Sequence, residues 1–327
     1  MKVDFHFHLE EGPYSFKWLQ RTASSIANVT GCEERKHSLS WVTTQVERLQ
    51  KRLTEGCFSE QWIETYMTAG LQRGIERFGI VDHLYRFDEF QTYYERYMTL
   101  DNSELGRLQR YWLEQVRIGS IEDYLSAVRR TQKKGYPISL GVEADFFPGG
   151  EAELKVLLDQ YELDYVIGSV HFIDGWGFDN PELQHLFGQK NLLELYAYGF
   201  EHVKQAARSG LFDIIAHLDN LKVFNYRPDE VNMLELYDDV AKTLKESDIA
   251  SEINTGLAYR YPVKEMCPSP AFLNKLYEHG VPITFGSDSH FPDDIGMMLE
   301  EAAQLARDTG YKEIVYFENR NRIYTDF

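Results

Sequence analysis

Seven short apolar runs, each followed by a polar side chain, constrain the fold of this chain more than any other feature of its sequence. The runs cover residues 3–7, 78–82, 139–142, 164–170, 212–216, 249–253 and 283–286. Between most of them apolar residues recur every three or four positions, which predicts helices at 192–209, 231–246, 271–279 and 295–309. Strands that alternate with helices form βαβ units, so we predict a parallel sheet with right-handed crossovers.

The residues that follow the seven runs favour a closed sheet over an open one. They are His8, His83, Glu143, His171, His217, Asn254 and Asp288. In a barrel the carboxyl ends of all strands meet at one mouth, where barrel enzymes carry their active sites, whereas an open sheet would spread these residues along an edge. The sequence therefore predicts an α/β barrel.

Two long intervals between strands predict insertions. Residues 9–72 contain helical patterns at 41–53 and 60–73, so we predict a helical insertion after the first strand. A polar, aromatic stretch at about 88–119 predicts a second insertion. Both would leave the carboxyl side of the barrel, where they either cover its mouth as a lid or only decorate the surface. Since no linker is evident, we expect one domain over residues 1–327.

Composition excludes some classes of function. Among 327 residues, 52 Asp and Glu oppose 34 Lys and Arg, for a formal charge of −18. An acidic surface repels phosphate backbones, so nucleic acid is not an expected partner. No apolar run reaches the roughly 18 residues that a membrane span needs, and no hydrophobic leader follows Met1, so we expect a cytoplasmic protein. Cys32, Cys57 and Cys267 form no CxxC motif and are expected to be free thiols.

Histidines and carboxylates at the strand ends predict a metal site. His6 and His8 are two positions apart on one strand, so both imidazoles point to the same side and can bind one ion. Eight residues of ligand type stand at or just beyond strand ends: His6, His8, His83, Glu143, His171, His217, Asp288 and His290. This set exceeds what one tetrahedral zinc ion uses, whereas it suits two or three divalent ions of Zn, Fe or Mn held close together.

Seven motifs follow one another along nearly the whole chain. They are HFH at 6–8, VDH at 81–83, GVEAD at 141–145, GSVHFIDGWGFDN at 168–180, FDIIAHLD at 212–219, EINTG at 252–256 and ITFGSDSH at 283–290. In these motifs the chain resembles the histidinol-phosphate phosphatases of the polymerase-and-histidinol-phosphatase (PHP) superfamily. The resemblance implies a distorted (β/α)7 TIM-like barrel with a trinuclear metal site. It also implies hydrolysis of a small phosphorylated substrate, L-histidinol phosphate, to L-histidinol in histidine biosynthesis.

The resemblance further implies how the ligands are shared among three metal ions. The first ion would be held by His6, His8, Glu143 and Asp288, the second by Glu143 as a bridge with His171 and His217, and the third by His83 and His290. Relatives usually carry another histidine shortly after the HxH motif, and this chain has Tyr14 there. Either Glu10 or Glu11 would then supply an oxygen ligand, or the third ion would bind weakly.

For the reaction we hypothesise in-line attack on a phosphate monoester by a metal-bridging hydroxide, with Asp288, His290 and Glu143 as the catalytic residues. Arg260 follows the sixth strand and is the candidate phosphate clamp, with a surface ion pair as the alternative. Asp145 lies beside a metal motif, where it would either support a ligand or pack. The acid that protonates the leaving alcohol is not evident.

Two other functions are compatible with the same residues. One is a PHP phosphoesterase that acts on another small monoester, a diester or a nucleotide. The other is a non-catalytic barrel that binds metal for regulation, although all eight ligand-type residues are present in the chain. The sequence carries no indication of oligomeric state.

Overall fold

The computed structural model describes residues 1–31 and 34–327. The strands are β1 (Val3–Phe7), β2 (Arg77–Ile80), β3 (Ile138–Asp145), β4 (Tyr165–Ser169), β5 (Phe172–Ile173), β6 (Trp176–Gly177), β7 (Ile214–Ile215), β8 (Ala250–Asn254), β9 (Ile283–Gly286), β10 (Glu313–Glu318) and β11 (Asn321–Asp326). The helices are α1 (Phe16–Val29), α2 (Leu39–Glu55), α3 (Glu60–Gln72), α4 (Gln91–Tyr97), α5 (Glu104–Val116), α6 (Ile121–Gln132), α7 (Glu151–Leu158), α8 (Leu192–Arg208), α9 (Leu234–Glu246), α10 (Gly256–Arg260), α11 (Pro270–His279) and α12 (Leu299–Thr309).

Seven strands form one parallel sheet in the order β1-β2-β3-β4-β7-β8-β9. Every predicted apolar run contributes one of these strands, and helices cover the outside of the sheet. The two remaining pairs, β5 with β6 and β10 with β11, are antiparallel hairpins outside the main sheet. The predicted seven-stranded α/β barrel is therefore confirmed.

The first and last strands of the sheet meet at their carboxyl ends. The His8 amide donates a hydrogen bond of 2.7 Å to the Ser289 carbonyl, and the Asp288 amide donates one of 2.7 Å to the His6 carbonyl. These contacts nearly close the sheet into a barrel at the end that carries the predicted ligands. Residues from the two ends of the sequence consequently become neighbours.

A compact apolar cluster fills the interior of the barrel. The Phe5 and Tyr165 rings lie 4.5 Å apart, and the Tyr165 hydroxyl donates a 3.2 Å hydrogen bond to the Phe5 carbonyl. Val315 and Phe317 of β10 join this cluster, so the terminal hairpin completes its packing. Because the interior is filled, the reactive side chains lie at the mouth, as in other barrels of this type.

The predicted insertion after β1 consists of α1, α2 and α3. Each of these helices begins at a serine whose hydroxyl accepts a hydrogen bond from the backbone N–H three residues on, namely Ser15, Ser38 and Ser59. The second stretch, 88–119, contains α4 and α5. The role of either insertion as a lid stays a prediction.

Some element boundaries differ from those predicted. The helix predicted at 295–309 begins only at Leu299, because Met298 adopts a left-handed backbone conformation with φ of 59°. The helix predicted at 231–246 begins with a 3₁₀ turn, Glu230–Met233. Cys57 and Cys267 are free and buried, as expected, whereas Cys32 lies outside the described residues. None of the helices in the described part of the chain combines the length and apolar character that crossing a bilayer requires.

We predict that Gly79→Ala destabilises the barrel. A Cβ atom at position 79 would lie 2.5 Å from the Tyr165 hydroxyl and 2.7 Å from Cγ of Phe5. Overpacking of this kind costs about 1–3 kcal/mol, which urea unfolding followed by circular dichroism will measure. Gly188→Ala is the matched control, since a Cβ there meets nothing within 4 Å. Equal stability of the two variants would contradict the packing described for the interior.

Candidate metal centre

The eight residues predicted as ligands lie together at the mouth of the barrel. Each is at the carboxyl end of a strand or in the loop that follows it: His6, His8, His83, Glu143, His171, His217, Asp288 and His290. The six imidazoles and Glu143 are buried, and the Asp288 side chain is 16% exposed. The barrel thus collects, in one place, donors that are widely separated in sequence.

Glu143 occupies the centre of this cluster. Its Oε2 lies 3.3 Å from Nε2 of both His6 and His8, and 2.9 Å from Nδ1 of His83. Its Oε1 lies 3.2 Å from Nε2 of His217. The two oxygens of one carboxylate therefore face two different sets of imidazoles, which is the arrangement of a bridging ligand.

The spacing of the donor atoms fits divalent cations. Nε2 of His6 lies 3.2 Å from Nε2 of His8, and Nε2 of His171 lies 3.2 Å from Nε2 of His217. Two nitrogens bound to one tetrahedral zinc ion at about 2.0–2.1 Å stand about 3.3 Å apart. In the described part of the chain, the buried Nδ1 of His83 has no hydrogen-bond partner, although a carboxylate oxygen of Glu143 is close. Imidazole nitrogens and carboxylate oxygens that lie this close together without a hydrogen bond between them can bind the same cation through their lone pairs.

Among the residues that the structure describes, three sets of donors have ligand atoms within 4.8 Å of one another. The sets are His6, His8 and Asp288; His8, His83 and His290; and His83, Glu143 and His171. The first agrees with the ligands implied for the first ion. The second brings His83 and His290 together, as implied for the third ion, and adds His8 to them.

Carboxylates behind two of the imidazoles fix their tautomers. Nδ1 of His6 lies 3.0 Å from Oε2 of Glu252, and Nδ1 of His171 lies 2.8 Å from Oδ1 of Asp145. An ionised carboxylate only accepts, so each Nδ1 carries the proton and each Nε2 turns its lone pair toward the cluster. Asp145 thus has the supporting position considered from sequence. Glu252 was missed, although it lies in the EINTG motif near the end of β8.

His8 differs from these two imidazoles. Its buried Nδ1 has no hydrogen-bond partner among the described residues, and Oδ1 of Asp82 lies 4.0 Å from it. Oδ2 of Asp82 likewise has no hydrogen-bond partner within residues 1–31 and 34–327, and Nε of Arg86 lies 3.2 Å from Oδ1. A small movement would bring His8 and Asp82 into hydrogen-bond range, about 2.7–3.2 Å. Asp82 and Arg86 form a buried charged layer beneath the cluster that sequence reasoning did not identify.

Burial and mutual repulsion keep several imidazoles neutral. Burial and the neighbouring His83 lower the pKa of His8 to about 3, and burial lowers the pKa of His83 to about 4. Burial opposes ionisation of Glu143, but His83 and His6 outweigh it and hold the pKa of that carboxyl well below its usual value. Burial also opposes protonation of His6 and His171, but Glu252 outweighs it at His6 and raises the pKa of that imidazole, and Asp145 raises the pKa of His171 to about 10. Cations bind neutral imidazoles, so metal binding would release the protons of these two.

The structure distinguishes between the two glutamates considered for the third ion. Oε2 of Glu10 accepts a 2.6 Å hydrogen bond from Arg52 and a 3.3 Å hydrogen bond from the Tyr14 hydroxyl. The side chains of Glu10 and Tyr14 therefore bind each other and Arg52 rather than the cluster. Oε2 of Glu11 lies 3.7 Å from Nδ1 of His290. Glu11 is therefore the glutamate that lies beside the candidate ligands, and Glu10 is not.

Arg260 lies at the edge of the cluster rather than on the outer surface. Its Nη1 donates a 2.9 Å hydrogen bond to the Asp288 carbonyl, and its Nη2 donates one of 2.8 Å to Oε2 of Glu11. The side chain is 20% exposed, which leaves it accessible from the mouth. Arg260 does form an ion pair, with Glu11, but beside the candidate ligands, so its role as a phosphate clamp stays a prediction.

Aromatic side chains form another part of the mouth. The Tyr85 ring stacks on His83 with centroids 4.6 Å apart, and Trp112 of α5 lies 4.8 Å from Tyr85. The second insertion therefore reaches the layer next to the candidate ligands. Tyr85 lies two residues after the VDH motif, and this position close to a candidate ligand could have indicated from the sequence that it lines the mouth.

We predict that Glu252→Gln weakens metal binding by about 10–100-fold. Oε1 of Glu252 accepts from Asn254 Nδ2 and the His217 amide, so a glutamine would keep its oxygen there and turn its NH₂ toward His6. The His6 Nδ1–H would then have only the neutral amide oxygen, 3.1 Å away and shared with those two donors, as its acceptor, so the contact that directs the Nε2 lone pair to the cluster would be weaker. Competition with a fluorescent chelator measures the affinity. Glu300→Gln, at an exposed site, is the control, and equal affinities would contradict the assigned role of Glu252.

Comparisons with known proteins agree with this geometry. Residues 56–256, more than half of the chain, match the family model of the PHP domain. A "Probable histidinol-phosphatase" of Deinococcus radiodurans is 36% identical over 205 residues, which cover 62% of this chain and 77% of the relative. A "Probable histidinol-phosphatase" of Clostridium acetobutylicum is 30% identical over 190 residues, which cover 56% of this chain and 72% of the relative.

A solved structure shares the fold over almost the full length. Histidinol phosphate phosphatase of Lactococcus lactis subsp. lactis, solved in complex with zinc, L-histidinol and phosphate, superposes with a TM-score of 0.62 and covers 98% of both chains. Its sequence identity is 18%, so this likeness bears on the fold alone. The family model and the two bacterial relatives establish the family. This chain belongs to the PHP domain family, and these two relatives within it are named as probable histidinol-phosphatases.

Proposed function

We propose that this chain is a metal-dependent phosphatase that hydrolyses L-histidinol phosphate to L-histidinol and inorganic phosphate, as a step of histidine biosynthesis. The observation that carries the proposal is the set of converging, largely buried imidazole and carboxylate donors around Glu143. Support for the substrate comes from the two bacterial relatives named as histidinol-phosphatases. The Lactococcus protein of the same fold was solved with zinc and both reaction products.

We further propose two or three divalent ions of Zn, Fe or Mn at this mouth. His6, His8, Glu143 and Asp288 would hold the first, and Glu143, His171 and His217 the second. His83 and His290, with Glu11 in place of the missing histidine, would hold the third. Mixed imidazole and carboxylate sites accept each of these metals, so the donor set alone does not choose among them.

Divalent ions, when bound, lower the pKa of a coordinated water and offset the charge that develops on phosphoryl oxygens. The protein's own groups would orient the substrate. Arg260 presents a guanidinium at the edge of the cluster, where it would bind a phosphoryl oxygen in exchange for its contact with Glu11. Burial acts to raise the pKa of Asp288, but the hydrogen bond with His8 and the charges of His6 and Arg260 hold that pKa well below its usual value. Asp288 would therefore stay ionised.

We predict that Asp288→Asn nearly abolishes hydrolysis while the protein remains folded. The change removes one carboxylate charge from the first proposed ion but keeps the side-chain volume and the backbone contact to His6. Phosphate release at saturating substrate and metal measures the loss, and thermal unfolding checks the fold. Unchanged turnover would show that the reaction takes place elsewhere.

Arg260→Ala should raise KM for histidinol phosphate more than it lowers kcat, because the interaction it removes exists in both the bound substrate and the transition state. Loss of one charge-assisted hydrogen bond corresponds to about a 10–100-fold rise in KM. Arg227→Ala is a control, since Arg227 pairs with Glu265 and is 41% exposed. Identical kinetics of Arg260→Ala and wild type would remove Arg260 from the substrate site.

The substrate itself is tested by phosphate release from histidinol phosphate, an aryl phosphate and a small panel of nucleotides, with added Mn²⁺ or Zn²⁺. Preferential turnover of histidinol phosphate is the expected result. Turnover of the other esters alone would retain the metal chemistry but reassign the substrate within the PHP family. A metal-loaded protein without turnover of any ester would favour a binding or regulatory role.

A further inference from the structure

A chain of hydrogen bonds leads from the candidate ligand His171 to the second insertion. Nδ1 of His171 lies 2.8 Å from Oδ1 of Asp145, and the hydroxyl of Tyr94 in α4 donates a 2.9 Å hydrogen bond to Oδ2 of the same carboxylate. The Asp145 amide donates a 3.4 Å hydrogen bond back to the Tyr94 hydroxyl oxygen. Tyr94 therefore binds the carboxylate that stands behind a candidate metal ligand.

Tyr94 is held firmly in this position. Its side chain and that of Asp145 are buried, so water does not compete with their hydrogen bond. The Tyr94 ring meets the rings of Tyr85 and Phe147 edge-on, each at a centroid distance of 5.8 Å. Because the ring is packed on these sides, its hydroxyl is a fixed point to which the Asp145 carboxylate is attached.

The orientation of His171 depends on such a fixed point. The carboxylate of an aspartate and the imidazole of a histidine each turn about their last side-chain bond with only a broad preference. Asp145 can therefore orient His171 only if Asp145 is itself oriented. Tyr94 holds Oδ2, which leaves Oδ1 facing Nδ1 of His171. The imidazole then presents Nε2 to the cluster, 3.2 Å from Nε2 of His217 and 3.7 Å from Oε1 of Glu143.

We propose that Tyr94 is a positioning residue of the metal centre, which acts through Asp145 to hold His171 in the orientation that binds the second ion. This inference rests on the metal centre and the function proposed above. The first ion would depend less on Tyr94, because its ligand His6 has a different supporting carboxylate, Glu252. The second insertion is then a part of the metal centre and not only a cover for the mouth.

A neighbouring tyrosine on the same helix separates positioning from packing. Tyr93 is also buried, and its hydroxyl donates a 3.1 Å hydrogen bond to the backbone carbonyl of Asp145. Phenylalanine at position 93 or 94 keeps the ring and removes one buried hydroxyl that binds Asp145. Only the hydroxyl of Tyr94 binds the carboxylate, so Tyr93→Phe is the matched control for Tyr94→Phe.

The test is a zinc titration of wild type, Tyr94→Phe and Tyr93→Phe in competition with a fluorescent chelator and without substrate. Tyr94→Phe should weaken one class of zinc site by about tenfold, the lower end of the effect of losing a group that supports a ligand, since Tyr94 acts one step behind Asp145. Tyr93→Phe should bind zinc as wild type does, and thermal unfolding checks that both variants fold. Equal zinc affinity of Tyr94→Phe and wild type, or an equal loss in both variants, would overturn the proposal.

Asp145→Asn shows whether Tyr94 acts through Asp145. This change by itself should weaken zinc binding, because a neutral amide is a poorer acceptor for the His171 Nδ1–H. If the two residues act in one chain, Tyr94→Phe should cause little further loss when Asp145→Asn is already present. Losses that add in the double variant would assign the effect of Tyr94 to another route and contradict the proposal.

The titration also separates this inference from the proposed function, because zinc binding is measured without substrate. Unchanged zinc affinity in a Tyr94→Phe protein that hydrolyses histidinol phosphate normally would overturn the inference alone. Selective loss of zinc affinity in Tyr94→Phe, with a wild type that does not hydrolyse histidinol phosphate, would support the inference and overturn the proposed function. A wild-type protein that binds no zinc would overturn both.

Discussion

The approach of the first strand to the last is the constraint on which the whole site depends. Besides the backbone hydrogen bonds near His6 and Asp288, the buried Asp4 carboxylate accepts hydrogen bonds from the Ser287 amide and hydroxyl, at 2.9 and 2.6 Å. Gly286 permits this proximity, since a Cβ there would lie 2.6 Å from Cβ of His6. Without closure, the ligands of β1 would be separated from the aspartate that completes their set.

Electrostatics explains why this mouth is suited to cations. Glu143 and Asp288 lie among imidazoles, and burial lowers the pKa of two of them, His8 and His83, so that these two stay neutral. Burying ionised carboxylates is costly unless positive charge compensates them. Arg260 supplies part of that charge from the edge, and bound metal ions would supply the rest. The same distribution leaves a place where a phosphoryl group can meet positive charge in an otherwise acidic protein.

The sequence predicts the fold and the candidate ligands because each strand is a short apolar run and each ligand follows such a run. It does not predict which carboxylates stand behind the imidazoles, since Glu252 lies on β8, which is far from His6 in sequence and comes near it only when the sheet closes. The sequence also gives no reason to prefer Glu10 or Glu11 as the oxygen ligand of the third ion. Arg52 of α2 distinguishes them by binding Glu10, and that long-range contact is not encoded in local periodicity. The predicted start of the last helix is wrong for a similar reason. Met298 adopts a left-handed backbone conformation that no hydrophobic pattern reveals, so the helix begins only at Leu299.

The closure of the sheet between β1 and the segment that follows β9 has a consequence for synthesis on the ribosome. A chain is made from its amino terminus, so His6 and His8 emerge long before Asp288 and His290 exist. Until then β1 can pair with β2 but its other edge has no partner, and Val315 and Phe317, which pack against the interior, are made later still. The complete set of candidate ligands can therefore come together only after residue 290 has left the ribosome, so a metal ion that needs all of them would bind late in the maturation of this protein.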